Sequence, residues 1–381
     1  MKLETLITDA WQRKALWLWM LLPLSGLYGL ITGLRRQAYK SGLLASYRAP
    51  VPVLVIGNIT VGGSGKTPLI ISLVDYLQQR SVKVGVISRG YGGDSSQMPT
   101  LVKAGSMPSI VGDEPCLIVN STGVPMTVCA DRQQAITTLL SSYPDIQLII
   151  ADDGLQHYAM QRDVEWIVVD SARGFGNRQL LPTGLLREPM SRLKESTVIY
   201  HEKLDEQSKS QQLPVSPKTL SMHLVPDDLI LLLADELIAN SSATIDSTQQ
   251  TPRTGSTVHA VSGIGYPKRF FETLKTLGFE VIEHPYPDHY DFSLLELLQY
   301  TEYPIVVTSK DAVKIKALWS QQNLQQLSDT FGKTQHNQDY YQLPTKLWVL
   351  PVTAELSSAC YQVLDRQLKA LGIGYSDIAK G

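Results

Sequence analysis

This chain of 381 residues contains few cysteines and carries little net charge. The three cysteines, Cys116, Cys129 and Cys360, lie far apart, match no metal-binding spacing and cannot all pair with one another. A reduced, cytosolic setting is the simplest interpretation. The net charge of −2 lacks the basic excess that nucleic-acid-binding proteins usually carry, so we expect no nucleic-acid partner. There is no internal repeat, and the length is sufficient for two domains with separate cores.

Charged residues are missing altogether from residues 15–34, ALWLWMLLPLSGLYGLITGL. The run is about as long as a helix that spans a bilayer, but its proline and three glycines weaken a straight spanning helix. Its length and the acidic residues before it argue against a secretory signal peptide. Basic residues flank both ends, while Trp17, Trp19 and Tyr28 suit a membrane interface. We expect a helix embedded in the inner face of a membrane; a buried core helix is the alternative.

Short apolar runs alternate with helical patterns between residues 51 and 200, which predicts a mostly parallel sheet covered by helices on both faces. The expected strands are VPVLVIGN, KVGVISRG, PMTVCA, IQLIIAD, VEWIVVD and STVIYH. A helix is expected over residues 67–79, with an apolar face formed by Leu69, Ile70, Leu73, Val74 and Leu77.

A second and weaker series of strands follows a polar stretch at residues 204–219, which we expect to be a linker. Its expected strands are TVHAVSGI, FEVIEHPY, PIVVTSKD and KLWVLPV. Two polar stretches, at residues 241–256 and 321–342, are predicted to be irregular. A last amphipathic helix is expected over residues 354–371, packed on either domain.

The first expected strand leads into a glycine-rich loop and then into a helix, which is the setting of a phosphate-binding loop. The loop residues are Thr60, Val61, Gly62, Gly63, Ser64, Gly65, Lys66 and Thr67. In such a loop, backbone N–H groups turn inward to hold phosphate, the lysine reaches the β- and γ-phosphates, and the next hydroxyl holds Mg²⁺. We therefore predict a site for ATP and Mg²⁺; a glycine-rich turn that only caps a helix is the alternative.

The loop departs from the usual pattern at its first position, where Thr60 stands in place of glycine. This position is the entrance of the loop, which is less constrained than its centre. Pro68 lies in the first turn of the expected helix, where its missing N–H does little harm. The departure therefore does not exclude phosphate binding.

Two acidic residues, Asp152 and Asp153, follow the apolar run LIIA. Carboxylates at the carboxyl end of a strand in an open α/β sheet face the ligand crevice. One of them would hold Mg²⁺, directly or through water, while the other would orient a ligand or a water. A solvated turn is the alternative, because D-D-G is common turn chemistry.

Seven short motifs occur in order along the chain and carry a specific likeness. They are GNITVGGSGKTP, SRGYGG, VGDEP, ADDGLQH, LLPTGLLREP, YPDHY and VVTSKDAVK. With the N-terminal apolar helix, they resemble the tetraacyldisaccharide 4'-kinase family, the lipid A kinases of Gram-negative bacteria, over nearly the whole chain. The resemblance implies a two-domain P-loop fold. It also implies transfer of the ATP γ-phosphate to the 4'-hydroxyl of a lipid-linked disaccharide 1-phosphate at the inner membrane, which forms the lipid A precursor lipid IVA.

The resemblance also implies roles for individual residues. Lys66 and Thr67 would bind the phosphates and Mg²⁺, and Arg89 and Tyr91 would lie beside the nucleotide. The cluster on the metal side would comprise Asp152, Asp153 and Glu188, with Gln156 close by in the nucleotide site.

By the same resemblance, Asp113 in VGDEP and His289 in YPDHY are an acid–base pair assembled from both domains. A sugar hydroxyl is a poor nucleophile at neutral pH, so a carboxylate that accepts its proton late in the transfer would suffice. A histidine partner can orient that carboxylate, and closure of a divided site would exclude water. From the residues alone, Asp113 has the alternative role of a helix N-cap, and His289 that of a surface-loop histidine.

The sequence therefore predicts an α/β fold, in which a P-loop NTPase-like parallel sheet domain carries a second, smaller α/β domain and an N-terminal membrane-associated helix. The expected segments are an N-terminal helical segment at residues 1–48, a P-loop kinase domain at 49–220, a smaller domain at 221–352 and a C-terminal helix at 353–381.

Two other functions are alternatives to the kinase. One is a membrane-associated ATPase that works as a switch or positioning protein, but those enzymes often carry an additional lysine where this chain has Val61. The other is a nucleotide-binding scaffold without catalysis, which the clustered carboxylates argue against because they need a compensating metal. The expected partners of the kinase are its lipid substrate and the cytoplasmic face of the inner membrane; no protein partner is implied.

Overall fold

The structure, a computed structural model, describes residues 15–202, 220–234, 251–300, 302–321 and 345–374, together with Ile7, Ala10, Trp11, Arg13 and Leu343. The expected linker at residues 204–219 lies outside the described residues, as do most of the expected loops at 241–256 and 321–342.

Helices and strands alternate along most of the described chain. The α-helices are α1 (Leu22–Lys40), α2 (Lys66–Gln79), α3 (Pro108–Val111), α4 (Asp113–Thr122), α5 (Arg132–Ser142), α6 (Pro267–Thr276), α7 (Leu294–Leu298), α8 (Ser309–Gln321) and α9 (Ser358–Ala370). The strands are β1 (Val53–Gly57), β2 (Val84–Ser88), β3 (Thr100–Val102), β4 (Met126–Val128), β5 (Leu148–Asp152), β6 (Val164–Asp170), β7 (Thr197–His201), β8 (Leu220–Pro226), β9 (Ile230–Leu231), β10 (Thr257–Ser262), β11 (Glu280–Pro285), β12 (Ile305–Thr308), β13 (Leu347–Leu350) and β14 (Val352–Leu356).

The larger sheet has the strand order β14-β8-β7-β6-β1-β5-β2-β4-β3. Its two edge strands, β3 and β14, are antiparallel to their neighbours, and the strands between them pair in parallel. Every residue of β1, β2 and β5 is buried, because helices cover both faces of the sheet. Since parallel strands end at one edge, the segments that follow β1, β2, β5 and β6 open into a common crevice.

The smaller sheet has the strand order β11-β10-β12-β13-β9, and only β9 is antiparallel to its neighbour. Helix α6 packs Phe270, Phe271 and Leu274 against one face. Helices α7 and α8 supply apolar side chains to the other face. The predicted α/β fold, with a large parallel sheet and a second, smaller sheet, is therefore confirmed. The apolar face expected for residues 67–79 is also confirmed, since all five of its side chains are buried in α2.

The end of the chain differs from the expectation. Residues 354–356, expected to be helical, belong to β14, and the last helix begins only at Ser358. The strand β14 pairs with β8 in the larger sheet, although residues 221–226 and 352 were expected in the smaller domain. Strand β8 pairs with β7 of the larger sheet, and β14 then pairs with β8. This pairing is the reason that both segments are strands. Helix α9 packs on the larger sheet, where Gln367 accepts a hydrogen bond of 2.9 Å from the indole of Trp166.

The apolar N-terminal run is not one continuous α-helix. A 3₁₀ turn over Leu16–Leu21 precedes α1. Its large apolar side chains are mostly exposed, so the alternative of a buried core helix is wrong. By length and composition it is a candidate for membrane association. The helix α1 is held by polar contacts: Ser25 Oγ donates to the carbonyl of Leu180 at 3.0 Å, and the hydroxyl of Tyr28 donates to the carbonyl of Arg187 at 3.0 Å.

An ion pair joins the two sheets beside the crevice. Asp170, at the end of β6, is buried and accepts hydrogen bonds of 2.8 and 2.7 Å from Nη2 of Arg269 in α6. Nη1 of the same arginine lies 3.1 Å from Nδ1 of His201, at the end of β7. The positive charge of the guanidinium in the smaller domain therefore compensates the negative charge of Asp170, which is buried in the larger sheet.

Replacing Arg269 by glutamine should destabilise the protein, because removing one partner of a buried ion pair costs about 3–5 kcal/mol. Lys268→Gln is the matched control, since Lys268 lies in the same helix and forms an exposed pair, 3.8 Å from Glu272. Exposed pairs contribute about 0–1 kcal/mol. Thermal unfolding should show a midpoint several degrees lower for Arg269→Gln alone. Equal midpoints in the two variants would contradict the stabilising role.

Candidate active site

The glycine-rich loop connects β1 to the first turn of α2. Gly62 and Gly65 have φ angles of 88° and 92°, values that side chains with a Cβ rarely adopt. The side-chain amide of Asn58 donates to the carbonyl of Gly62 at 3.1 Å. The loop thus has the strand–turn–helix geometry that the phosphate-loop prediction requires.

The entrance of the loop is fixed by backbone pairing rather than by glycine. The N–H of Val61 donates to the carbonyl of Leu185 at 2.9 Å, and Thr60 forms a bridge with Leu186. Because the chain is extended here, no positive φ is needed at residue 60. This explains physically how threonine is tolerated where the usual pattern has glycine.

Lys66 points toward the acidic edge of the crevice. Its Nζ lies 3.4 Å from Oδ1 of Asn58 and 3.6 Å from Oδ1 of Asp153. Asp153 also accepts two hydrogen bonds, of 3.0 and 2.9 Å, from the guanidinium of Arg187. Burial opposes the ionisation of Asp153, but Lys66 and Arg187 outweigh it and hold the pKa of that carboxyl below its ordinary value.

Asp152 has a different environment from its neighbour. It is buried at the end of β5, and Ser88 Oγ donates to its Oδ2 at 3.1 Å. In the part of the chain that the structure describes, its buried Oδ1 has no hydrogen-bond partner. Burial and the nearby carboxylate of Glu114 raise the pKa of Asp152 to about 7, against the opposing effect of Lys66. The charge of Lys66 therefore offsets only part of the cost of burying this carboxylate.

Glu188 and Gln156 lie together, but the carboxylate of Glu188 already has partners. Its Oε1 accepts from Gln156 Nε2 at 2.9 Å, and its Oε2 accepts from Arg192 Nε at 2.7 Å. Gln156 also donates to the carbonyl of Asn58 at 3.3 Å, next to the loop. A metal role for Glu188 stays a prediction.

The residues around Asp152 are suitable for binding a magnesium ion. Within the described part of the chain, no group of three or more His, Cys, Asp or Glu side chains is arranged to hold a metal. Mg²⁺ bound to nucleotide needs only one or two protein carboxylates, because water and phosphate supply its other ligands. The orphaned Oδ1 of Asp152 meets that need. The hydroxyl of Thr67, in the first turn of α2, is the predicted companion ligand.

Asp113 and His289, which the sequence places 176 residues apart, meet across the two sheets. Nδ1 of His289 lies 3.0 Å from Oδ2 of Asp113, and Asp113 is buried at the start of α4. Burial opposes the ionisation of Asp113, but the hydrogen bond with His289 and the charge of Lys310 hold its pKa below its ordinary value. Burial lowers the pKa of His289, yet Asp113 raises it more, so it lies above its ordinary value.

The loop that carries His289 is held in an unusual conformation. His289 has a φ of 58°, and its N–H donates to the carbonyl of Gly263 at 3.0 Å. The buried carboxylate of Asp311 accepts from the N–H of Gly263 at 3.1 Å. Lys314 donates to the carbonyl of Tyr290 at 2.7 Å. Helix α8 therefore fixes the loop on both sides of the histidine.

Arg89 and Tyr91 lie on the loop after β2 and are exposed. The ring of Tyr91 packs against His289, with 4.9 Å between the ring centroids. Tyr91 thus lies beside the Asp113–His289 pair. The described contacts do not bring Arg89 to the phosphate loop, and its place beside the nucleotide stays a prediction.

Sequence reasoning did not single out Arg187 and Lys310, which both touch predicted site residues. Both lie within motifs that carry the family resemblance, LLPTGLLREP and VVTSKDAVK. Their place in these motifs was the feature of the sequence that could have indicated a role in the site. Their contacts depend on chain segments that meet only in the folded protein.

Comparisons with known proteins show which family the chain resembles. A model of the LpxK family, described as tetraacyldisaccharide-1-P 4'-kinase, matches residues 17–369 of the chain. The chain belongs to this family. A tetraacyldisaccharide 4'-kinase of Psychrobacter arcticus is 64% identical over 380 residues, covering 99% of this chain and 98% of that protein.

More distant members of the family match the chain over nearly its full length. A tetraacyldisaccharide 4'-kinase of Actinobacillus pleuropneumoniae is 41% identical over 373 residues, or 96% of this chain and 99% of that protein. The crystal structure of the "apo" form of LpxK from Aquifex aeolicus in complex with ATP is 24% identical, with a TM-score of 0.67 over 93% of this chain and 99% of that chain. This likeness supports the fold.

Replacing Gly65 by alanine should impair nucleotide binding. The new Cβ would lie 2.9 Å from Met222 Cε and 3.0 Å from His201 Nδ1, at a residue with positive φ. A left-handed conformation costs such a residue about 1–2 kcal/mol, so binding of a fluorescent ATP analogue should weaken by about tenfold. Gly63→Ala is the matched control, because nothing lies within 4 Å of its added Cβ. Equal affinities would contradict the importance of the loop conformation.

Proposed function

We propose that this protein transfers the γ-phosphate of ATP to the 4'-hydroxyl of a tetraacyldisaccharide 1-phosphate, a precursor of lipid A. The observation that carries the proposal is the meeting of Asp113 and His289, 3.0 Å apart, in a chain that also has the phosphate loop. The family to which the chain belongs supports the identity of the acceptor.

The phosphate loop would hold the triphosphate of ATP. The N–H groups at the start of α2 would face the phosphates, and Lys66 would neutralise the β- and γ-phosphates. Bound Mg²⁺, held by Asp152 and Thr67, would neutralise charge that develops on the phosphate oxygens. Arg187 and Lys66 hold Asp153 ionised beside this place.

The proton of the acceptor hydroxyl would pass to Asp113. As the new bond forms between the sugar oxygen and the γ-phosphorus, the bond to the bridging β–γ oxygen breaks, and its electron pair leaves with ADP. The low pKa of Asp113 keeps it ionised, so that it can accept the proton late in the transfer. His289 orients the carboxylate through the hydrogen bond to Oδ2.

Product analysis tests the proposal and separates it from the alternative. The purified protein would be incubated with ATP labelled at the γ-phosphate and with a tetraacyldisaccharide 1-phosphate, and the lipid would then be extracted. A kinase transfers the label to the lipid, whereas a switch ATPase releases it as inorganic phosphate. Label found only as inorganic phosphate would overturn the kinase assignment, and intact ATP would indicate a scaffold.

Replacing Asp113 by asparagine should lower kcat by about 10²–10⁴-fold, because general-base help is typically worth that much. ATP affinity should change little, since the carboxylate serves the acceptor. Single-turnover phosphorylation at saturating ATP measures the step directly. Asp94→Asn is the matched control, as Asp94 is a loop carboxylate whose contacts are local. A parent rate in Asp113→Asn would exclude Asp113 as the base.

The exposed apolar surface of the N-terminal segment fits attachment to a lipid surface. Leu16 is 84% exposed and Met20 is 81% exposed, and basic residues lie at the end of α1. Since α1 also contacts the chain segment of Arg187, a lipid substrate held at the membrane would lie near the site. We infer attachment to the cytoplasmic face of the inner membrane, where ATP is available.

Replacing Leu16 and Met20 together by glutamate should release the protein from vesicles of anionic phospholipid. Burying a large apolar side chain contributes about 1.5–3 kcal/mol, so the pair is worth about 3–6 kcal/mol of binding. Ile230→Glu removes an exposed apolar side chain from the smaller sheet and serves as the control. Sedimentation with vesicles measures the effect. Full sedimentation of the double variant would show that another surface carries the attachment.

A further inference from the structure

An arginine of the larger domain lies against the phosphate loop. Arg173 follows β6, which pairs in parallel with β1, so the segment that carries it and the loop leave the sheet at the same edge. A Cβ added to Gly62 would lie 2.7 Å from Nη1 of Arg173 and 3.2 Å from its Nη2. Because residue 62 has no side chain, the guanidinium lies directly on the backbone of the loop.

The backbone at Arg173 is fixed by the carboxylate of Asp170. Its Oδ1 accepts hydrogen bonds from the N–H of Ala172 at 2.9 Å and from the N–H of Arg173 at 3.3 Å. Such an Asx turn bends the chain directly after the strand. The same carboxylate also binds Arg269 of α6. The smaller domain therefore helps to hold the turn that places Arg173 beside the loop.

The guanidinium of Arg173 is only weakly bonded to the protein. Its Nη1 donates to the carbonyl of Gly63 at 3.4 Å, which is long for a hydrogen bond between N–H and oxygen. A guanidinium has five N–H donors in a planar fork. The nearby carboxylate of Asp170 directs both of its oxygens to Nη2 of Arg269. The side-chain donors of Arg173 can therefore turn to a stronger acceptor at little cost.

The charge of Arg173 also favours a negatively charged ligand. Burial lowers the pKa of Arg173 and the charge of Arg269 lowers it further, while Asp170 opposes both. Two guanidinium groups thus share one carboxylate beside the loop. A phosphate group brings negative charge together with oxygens whose spacing matches the guanidinium fork. Bound phosphate would therefore stabilise this arrangement.

We propose that Arg173 is a catalytic residue whose guanidinium binds the γ-phosphate of ATP and stabilises the charge of the phosphoryl group during its transfer. The proposal rests on the proposed kinase function. In a phosphate loop the lysine reaches the β- and γ-phosphates. Arg173 lies on Gly62 and Gly63, a few residues before Lys66, so the two cations would meet the phosphates from different parts of one loop.

The transfer moves one phosphoryl group and one proton. The acceptor oxygen forms a bond to the γ-phosphorus, and its proton passes to the base. The bond from the γ-phosphorus to the bridging oxygen breaks, and its electron pair leaves with ADP. Arg173 would donate N–H groups to the oxygens of the phosphoryl group while it lies between acceptor and ADP. In other enzymes with a phosphate loop, an arginine in this role raises kcat by about 10³–10⁵-fold.

Replacing Arg173 by alanine should therefore lower kcat by about 10³-fold or more. Single-turnover phosphorylation at saturating ATP measures this step. The affinity for a fluorescent ATP analogue should fall far less, because an interaction made mainly in the transition state acts on kcat. Arg366→Ala is the matched control and should keep the parent kcat. Arg366 is exposed on α9, and its Nε donates to the carbonyl of Gln362 in the same helix.

Two further measurements separate the chemistry of the side chain from its packing. Arg173→Lys keeps the charge but lacks the planar fork, so its kcat should lie between those of the parent and of Arg173→Ala. Free guanidinium ion, added well below denaturing concentrations, should restore part of the kcat of Arg173→Ala and leave that of Arg366→Ala unchanged. Both variants at residue 173 should unfold close to the parent temperature, because the bond to Gly63 is long.

Three results would overturn the proposal. A parent kcat in Arg173→Ala would exclude the arginine from the transfer. A raised KM for ATP with an unchanged kcat would limit it to binding ATP before the reaction. An equal loss of kcat in Arg173→Ala and Arg173→Lys, with a lower unfolding temperature and no recovery by guanidinium, would give it a structural role only. If the parent protein itself transfers no label to the lipid, the kinase function fails instead, so the two failures are distinguishable.

Discussion

Parallel pairing of β1 with β5 and β6 is the constraint on which the site depends. The pairing sets Ile56 beside Asp152, so the loop that follows β1 and the carboxylates that follow β5 leave the sheet at the same edge. The strands can pair in this way because they are apolar on both faces and are covered by helices. A shift in register would separate Lys66 from Asp153 while leaving each local motif intact.

Charge compensation between the two sheets is the second organising feature. The larger sheet leaves Asp113 and Asp170 buried, and the smaller sheet supplies His289 and Arg269 to them. Within their own part of the fold, Asp170 accepts hydrogen bonds from the backbone N–H groups of Ala172 and Arg173, and Asp113 accepts one from that of Glu114. The side chains from the smaller sheet offset the remaining cost of burying the two carboxylates, because an unpaired buried charge is costly. The smaller sheet is therefore part of the site, and its position determines whether the site is complete.

The chain segment from Leu180 to Glu188 connects the apolar helix to the phosphate loop. On one side, its carbonyls accept hydrogen bonds from Ser25 and Tyr28 of α1. On the other side, its backbone pairs with the loop entrance, and Arg187 binds Asp153. The helix that would meet the lipid surface is thus joined to the place where phosphate would bind. This explains why both features belong to one compact structure.

The sequence by itself determined the elements and the loop. Apolar runs of strand length, a helix with one apolar face and the glycines before Lys66 are local patterns, and local patterns follow from backbone and burial preferences. The motifs also indicated Asp113 and His289, although spacing alone left a helix cap and a surface loop open. The strand at residues 352–356 was missed, because its pairing with β8 depends on a neighbour more than 120 residues away. Only the tertiary structure decided which charges meet. The contacts of Arg187 with Asp153, Arg269 with Asp170 and Lys310 with His289 join distant segments, and no local preference encodes such a contact.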